Sequence, residues 1–398
     1  MTEVHQIKSR VAAAPAGLLA MVYVQDKESE GVLRQCLSDL TVGTVSYVTG
    51  GIDTAITDLA HRSSPRLLVV DVTGVEDPAA RVGELAQVCE PNTGVIVIGG
   101  ANDVSLYRGL KSAGVVEYFY KPLVSNLVRK ACTAVLAGDL EERTANTGKL
   151  IFVMGVKGGV GATGIATWAA WYLAQTHHRR VLLLDLDLAG GDAALQLDAS
   201  PSHALREALE KPDRVDNLFL ERGVIHVTPR LDLLASLESL DQIVPCEEDA
   251  VLSLLNNLVS RYRYVFVDLP HALAPRLMQV LRLPSILILV SDSSLASARD
   301  VVRWRDRIGI NTAERQTLHV VNKAGAHGSL PTDAFLHAVG QTPDVIIPYQ
   351  REIGDASTLG LQGLSKDGAL AHALSPVLKH IAGETVEEKH SFISRLLG

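Results

Sequence analysis

Apolar residues in the first third of the chain fall in short runs at 19–24, 45–48, 67–70, 95–98 and 116–119. The stretches between them, 30–40, 52–62, 78–89 and 104–113, space their apolar positions three or four residues apart. Short runs bounded by turn residues predict buried strands, and the intervening spacing predicts amphipathic helices. Strand and helix in strict alternation predict a small doubly wound parallel sheet, since parallel neighbours need crossover connections. A second set begins at 150–155, where an apolar run passes into a glycine-rich loop and then into 165–174, which has helical spacing. Further strands are predicted at 180–187, 231–236, 262–268, 285–290 and 317–323, with a helix at 247–260 and another carrying Arg299 and Arg307. Both sets are thus of α/β class, each a doubly wound parallel sheet. The boundaries that follow are a polar lead-in at 1–16, a first domain at 17–137, a polar linker at 138–148, a second domain at 149–383 and an amphipathic tail at 384–398.

Composition narrows the function classes. A chain of 398 residues, 47% hydrophobic, is long enough for two cores. Its net charge of −8 argues against a surface built wholly for nucleic acid, and the sparse basic clusters, such as Arg303 to Arg307, do not suggest DNA as a partner. The four cysteines, Cys36, Cys89, Cys132 and Cys246, form no C-x-x-C pair and are expected as buried thiols in a reducing cytoplasm. Residues 1–10 are polar and 18–24 too short for a signal peptide, and no run reaches the roughly 20 apolar residues of a membrane span.

The chemistry is densest at Lys157-Gly158-Gly159-Val160-Gly161-Ala162-Thr163-Gly164. Glycines between a strand and a helix turn the backbone so that successive N–H groups point inward, and the helix N-terminus adds positive potential, which suits a polyphosphate. The Thr163 hydroxyl is placed to bind Mg²⁺. The common P-loop pattern is broken, however: Val156 stands at its first glycine and Ala162 at its lysine. Strand 180–187 ends in Asp185 and Asp187, and strand 262–268 ends in Asp268, an arrangement expected to bring carboxylates toward the phosphates if the second strand neighbours the first. Strand-end carboxylates also make turns, and a lone apolar run ending in aspartate is a weak signal.

The loop resembles the deviant Walker A motif of the ParA/MinD superfamily, K-G-G-x-G-K-S/T, matched at Lys157, Gly158, Gly159, Gly161 and Thr163 but not at Ala162. The resemblance implies ATP and Mg²⁺ as ligands, with Lys157 reaching the nucleotide of a partner in a homodimer. It further implies Asp185 in the metal shell, Asp187 positioning the attacking water, and Asp268 as the Walker B carboxylate holding Mg²⁺. Asn322-Lys323 and the segment at Pro348 resemble the superfamily's contacts to the adenine base, a role an amide can fill through its paired donor and acceptor.

The first domain resembles a response-regulator receiver. Asp71 matches the phospho-accepting aspartate, Lys121-Pro122 the Lys-Pro after the fifth strand, and Asp26 half of the acidic pair, whose other member is Gln25. Gly99 stands where the receiver hydroxyl belongs, so a degenerate receiver used for docking or dimerisation is expected, with a turn-capping role for Asp71 fully competitive.

At the end of the chain Phe392, Ile393, Leu396 and Leu397 fall on one helical face. This resembles the membrane-targeting tail of MinD proteins, and two readings stand: weak membrane association, or a helix docked on a partner domain.

A degenerate receiver followed by a ParA/MinD-like ATPase lacking the P-loop lysine, with Asp268-Leu-Pro-His271 at Walker B, resembles the CpaE/TadZ family of Tad (type IVc) pilus assembly proteins over nearly the whole chain. That resemblance implies a cytoplasmic scaffold, often at a cell pole, that meets the pilus secretion ATPase and inner-membrane platform proteins. Loss of the lysine implies slow or negligible hydrolysis, at most a weak ATPase. A cycling positioning ATPase of the ParA/MinD kind, and a regulator controlled by receiver phosphorylation, are the alternatives.

Overall fold

The computed structural model describes residues 19–38, 40, 44–137, 148–177, 179–239, 241, 244–351 and 359–383. The lead-in at 1–16, nearly all of the linker and the tail with Phe392, Ile393, Leu396 and Leu397 lie outside the described residues. The chain forms two compact units, Met1–Thr144 and Ala145–Gly398.

The first unit alternates strand and helix throughout: β1 (Ala20–Val24), α1 (Lys27–Ser38), β2 (Val45–Thr49), α2 (Ile52–His61), β3 (Leu67–Asp71), α3 (Pro78–Val88), β4 (Gly94–Gly99), α4 (Val104–Ser112), β5 (Glu117–Tyr120) and α5 (Ser125–Ala137). All pairings are parallel, in the order β2-β1-β3-β4-β5. β1 and β3 are buried along their whole length, so each reads as a continuous apolar run rather than an alternating one. Successive side chains feed opposite faces: Met21 and Tyr23 join one core cluster, Ala20, Val22 and Val24 the other.

The second unit is larger. In chain order it comprises β6 (Lys149–Gly155), α6 (Ala162–Thr176), β7 (Val181–Asp185), α7 (Ala193–Gln196), α8 (Ala204–Glu210), α9 (Asn217–Gly223), β8 (Ile225–Thr228), β9 (Leu231–Leu234), α10 (Glu248–Val259) and β10 (Tyr264–Asp268). It continues with β11 (Ser285–Ser291), α11 (Leu295–Ile308), β12 (Arg315–Ala324), α12 (Thr332–Val339), β13 (Val345–Pro348) and α13 (Ala369–Ala382). Its eight strands lie in the order β13-β12-β11-β6-β10-β7-β9-β8. Ile151 and Val153 pack with α6 and α13 on one face, while Phe152 and Met154 pack with α8, α10 and α11 on the other. Burying both faces is what makes β6 apolar without a break from Leu150 to Met154.

Two features of this sheet go beyond the expected parallel order. The sheet is not wholly parallel: β8 pairs antiparallel with β9 at the edge, because only Pro229 and Arg230 join them and so short a connection permits nothing else. Nor does the second strand neighbour the first. β10 lies between β6 and β7, with Asp268 in register with Asp185, so the Walker B strand comes directly beside the P-loop strand.

Candidate functional site

The C-terminal ends of β6, β7, β10 and β12 surround a cavity of about 790 Å³. Such strand ends are where open α/β sheets place their ligands. Lys157, Gly158, Gly159, Val160, Gly161, Ala162, Thr163 and Gly164 line it, together with Asp187, Asp268, Asn322, Lys323 and Pro348. Of the residues expected at the nucleotide site Asp185 alone is absent from the lining.

The loop is shaped by backbone no ordinary side chain would tolerate. Gly161, at φ +91°, begins α6, and a Cβ there would lie 2.6 Å from Asn322 Nδ2. Asn322 fastens this turn: its Nδ2 donates to the Val160 carbonyl at 2.9 Å, and its Oδ1 accepts from the Lys323 N–H at 2.9 Å. Lys323 Nζ donates to the Gly159 carbonyl at 2.8 Å. The structure therefore places the Asn-Lys pair against the phosphate loop, with the amide's donor and acceptor both engaged.

Lys157 Nζ pairs with Asp292 Oδ2 at 2.9 Å, a partner the sequence reading missed. Asp292 follows β11 in a Ser-Asp-Ser-Ser turn, where it accepts from the Ser294 N–H, the Ser294 hydroxyl and the Ser297 hydroxyl. Burial works against its charge, but the bonds from Ser294, Ser297 and Lys157 prevail and hold the carboxyl far below the usual range. The clustered serines after an apolar run were the only local signal.

Asp185 lies beneath the floor. Its Oδ1 accepts the Asp187 N–H at 3.0 Å and its Oδ2 the Ala193 N–H at 3.3 Å, so it folds the 185–193 loop under itself and presents Asp187 to the cavity. Gly191 passes so close to the Asp185 carboxylate that a Cβ there would collide with it. Burial, with the charge of Asp268 next, pushes the Asp185 carboxyl up to about 7. Burial likewise pushes Asp268 up to about 6, with a bond from Thr163 opposing and the charges of Asp187 and Asp192 adding.

These residues fit a magnesium nucleotide. Asp268, forced upward by burial with the charges of Asp187 and Asp192 adding, stands with Asp187 and the Thr163 hydroxyl as a hard oxygen donor set whose excess negative charge a divalent cation offsets. The glycine cradle and the α6 N-terminus supply N–H donors for phosphate. Trp168, Tyr349 and Arg351, none singled out from sequence, line the same cavity.

In the first unit, Asp26, Asp71 and Lys121 meet at the strand ends. Lys121 Nζ bridges Asp26 at 2.7 Å and Asp71 at 2.6 Å. Asp71 is fully buried and also accepts from the Gln25 N–H, the Thr73 N–H and the Thr73 hydroxyl. Burial opposes the ammonium, yet its bonds to the two carboxylates raise the Lys121 pKa above its ordinary value. Beside this triad the Tyr118 hydroxyl donates to the Ala101 carbonyl at 2.6 Å, and a Cβ on Gly99 would lie 2.8 Å from that hydroxyl oxygen. A serine or threonine at 99 would collide with the tyrosine.

The family model for cellulose biosynthesis protein BcsQ matches residues 148–323. The antiactivator FleN of Pseudomonas aeruginosa is 24% identical over 218 residues, 52% of this chain and 76% of FleN. A ParA family ATPase from Chlorobium tepidum superposes with a TM-score of 0.52 at 24% identity, covering 59% of this chain and 99% of its own. A CpaE2 pilus assembly protein from Sinorhizobium meliloti is 31% identical over 29% of this chain and 98% of its own, with a TM-score of 0.25. The second unit has the P-loop fold of the ParA family ATPase.

Proposed function

We propose that this chain is an ATP-binding localisation scaffold for assembly of a Tad-type pilus secretion machine, and that ATP joins two copies while being hydrolysed slowly or not at all. One observation carries the reading: the phosphate loop, Thr163, Asp187 and Asp268 converge on one cavity while position 162 offers only a methyl group. A site kept for binding but stripped of its transition-state cation holds ATP better than it cleaves it.

Each residue has a part in that scheme. The loop N–H groups and the α6 N-terminus bind the phosphates, and Asn322 and Lys323 keep the loop in the shape that aims them. Thr163 and Asp268 hold Mg²⁺, which neutralises charge on the phosphates when bound. Asp185 acts from beneath, fixing the turn that presents Asp187, which orients water. Pro348 and its neighbours border the base. Lys157, held in its own chain by Asp292, exchanges that carboxylate for the phosphate of the second copy, a contact ADP does not provide. The pilus secretion ATPase and platform proteins as partners, and a peripheral place at the inner membrane or pole, follow from the likeness to CpaE/TadZ proteins. Among the described residues no helix is long and apolar enough to cross a membrane.

Phosphate release tests the slow-turnover half. Ala162→Lys is expected to raise it by ten-fold or more, since one charge contact in a transition state is worth orders of magnitude in rate. Wild-type turnover on the order of 1 s⁻¹, in the range of ordinary enzymes, would contradict the scaffold reading.

A further inference from the structure

The cavity's side-chain cations are almost all committed elsewhere. Lys157 is held by Asp292, Lys323 by the Gly159 carbonyl, and Arg351 has a partner of its own. His271 differs: it lines the cavity, and neither of its ring nitrogens has a hydrogen-bond partner among the described residues. Its Cε1 lies 3.8 Å from where a Cβ on Gly158 would stand, so the imidazole hangs over the opening of the phosphate loop. The backbone fixes it there. Asp268 ends β10, Pro270 follows, and the Pro270 carbonyl accepts the N–H groups of Leu273 at 2.9 Å and Ala274 at 3.1 Å, closing a turn around residue 271.

The ring is part-exposed in the cavity and neither nitrogen is engaged by the described residues, so both are free to meet a ligand bound over the loop. Across the loop, α6 begins with Ala162, whose methyl group offers no cation, and the neighbouring Thr163 hydroxyl is turned to Asp268. We propose that His271 is the side-chain phosphate ligand of this site, donating an imidazole N–H to the phosphate oxygens above Gly158 and so doing the work of the absent lysine at 162. An imidazole carries an N–H donor in either protonation state, which suits the task. Compared with a lysine at the head of α6, a donor on the loop after β10 approaches the phosphates from the opposite wall. It therefore couples nucleotide binding to the position of the strand-end loop that carries Asp268.

This inference rests on the cavity being a nucleotide site, and a double-mutant cycle separates the two claims. Affinity for Mg-ATP is measured by titration calorimetry for wild type, His271→Ala, Ala162→Lys and the double variant, with melting temperature without nucleotide as the folding control. His271→Ala is expected to weaken Mg-ATP binding about ten-fold or more, the usual size for one charge-assisted hydrogen bond. In the Ala162→Lys background the same change should weaken it by less than about three-fold, because the lysine then makes the contact. His271→Leu, which fills the space without an N–H, should lose as much as His271→Ala. Equal losses in both backgrounds, wild-type affinity in His271→Leu, or affinity unchanged in His271→Ala would each overturn the assignment while leaving the nucleotide site standing. Wild-type protein that binds neither Mg-ATP nor Mg-ADP would overturn both.

Discussion

At position 162 a methyl group faces a cavity otherwise furnished for a polyphosphate, and the neighbouring charges are arranged around that gap. Lys157 sits against Asp292, whose carboxylate is kept ionised by Ser294, Ser297 and Lys157 itself. In the proposed dimer, weakening that hold would release the lysine for a second copy. Asp292→Asn should lower the ATP concentration needed for dimer formation several-fold in sedimentation velocity, whereas an unchanged midpoint would mean that the pair does not restrain Lys157. In the first unit the same scale of argument closes a site. The buried Asp71 carboxylate already accepts from four groups, Lys121, Gln25 and the Thr73 amide and hydroxyl, so no oxygen is free to attack a phosphodonor. Incubation with a small-molecule phosphodonor is expected to leave Asp71 unmodified by mass spectrometry, and stoichiometric phosphorylation would restore the regulated-receiver alternative. That Asp71 and Lys121 belong together was legible from sequence because each ends a strand. That Tyr118 fills the space beside Gly99 was not, since nothing local joins residues 19 apart across a sheet edge.

Among elements, the strands were easiest to read. A run such as Leu67–Asp71, buried at every position, has no competing interpretation once turn residues bound it. β8 was missed because Ile225–Thr228 is an edge strand of only four residues with an exposed His226, so its pattern resembles a loop. The resemblance to ParA/MinD proteins implied Asp185 in the metal shell; its placement below the cavity depends on Gly191 and Ala193 folding back over it within the 185–193 loop. The pairing of β11, β12 and α11 buries one further group that no motif announces. His319 is almost fully enclosed, with Arg305 donating to its Nδ1 at 3.3 Å, so the proton resides on Nε2, which donates to the Ser291 hydroxyl at 2.9 Å. Burial, then the Arg305 charge, lowers its pKa to about 3. A histidine depressed in the folded state stabilises the protein above its unfolded value of roughly 6.5 and loses that contribution as pH falls toward the folded value. Urea denaturation should therefore show stability falling between about pH 6.5 and pH 3, with His319→Gln flattening the slope by an amount on the order of 4 kcal/mol across the window. An identical slope in the variant would show that His319 is not neutral and buried as described.

For the molecule as a whole, neither unit alone points to the proposed role as specifically as their order does: a closed receiver-like sheet ahead of a P-loop domain without its lysine. Within the second unit the topology brings Asp268 beside the phosphate loop, and it does so through β10 lying between β6 and β7, which spacing along the chain cannot reveal. A cycling positioning ATPase would share this fold, so fold alone does not separate a scaffold from a motor; the response to nucleotide does. The most direct measurement is the solution mass by light scattering of wild type and Lys157→Ala, each without nucleotide, with Mg-ADP and with Mg-ATP. The account predicts a doubled mass for wild type with Mg-ATP only, persisting without phosphate release, and no doubling for Lys157→Ala. A mass that ignores nucleotide, or a dimer that forms equally well with Lys157→Ala, would contradict it.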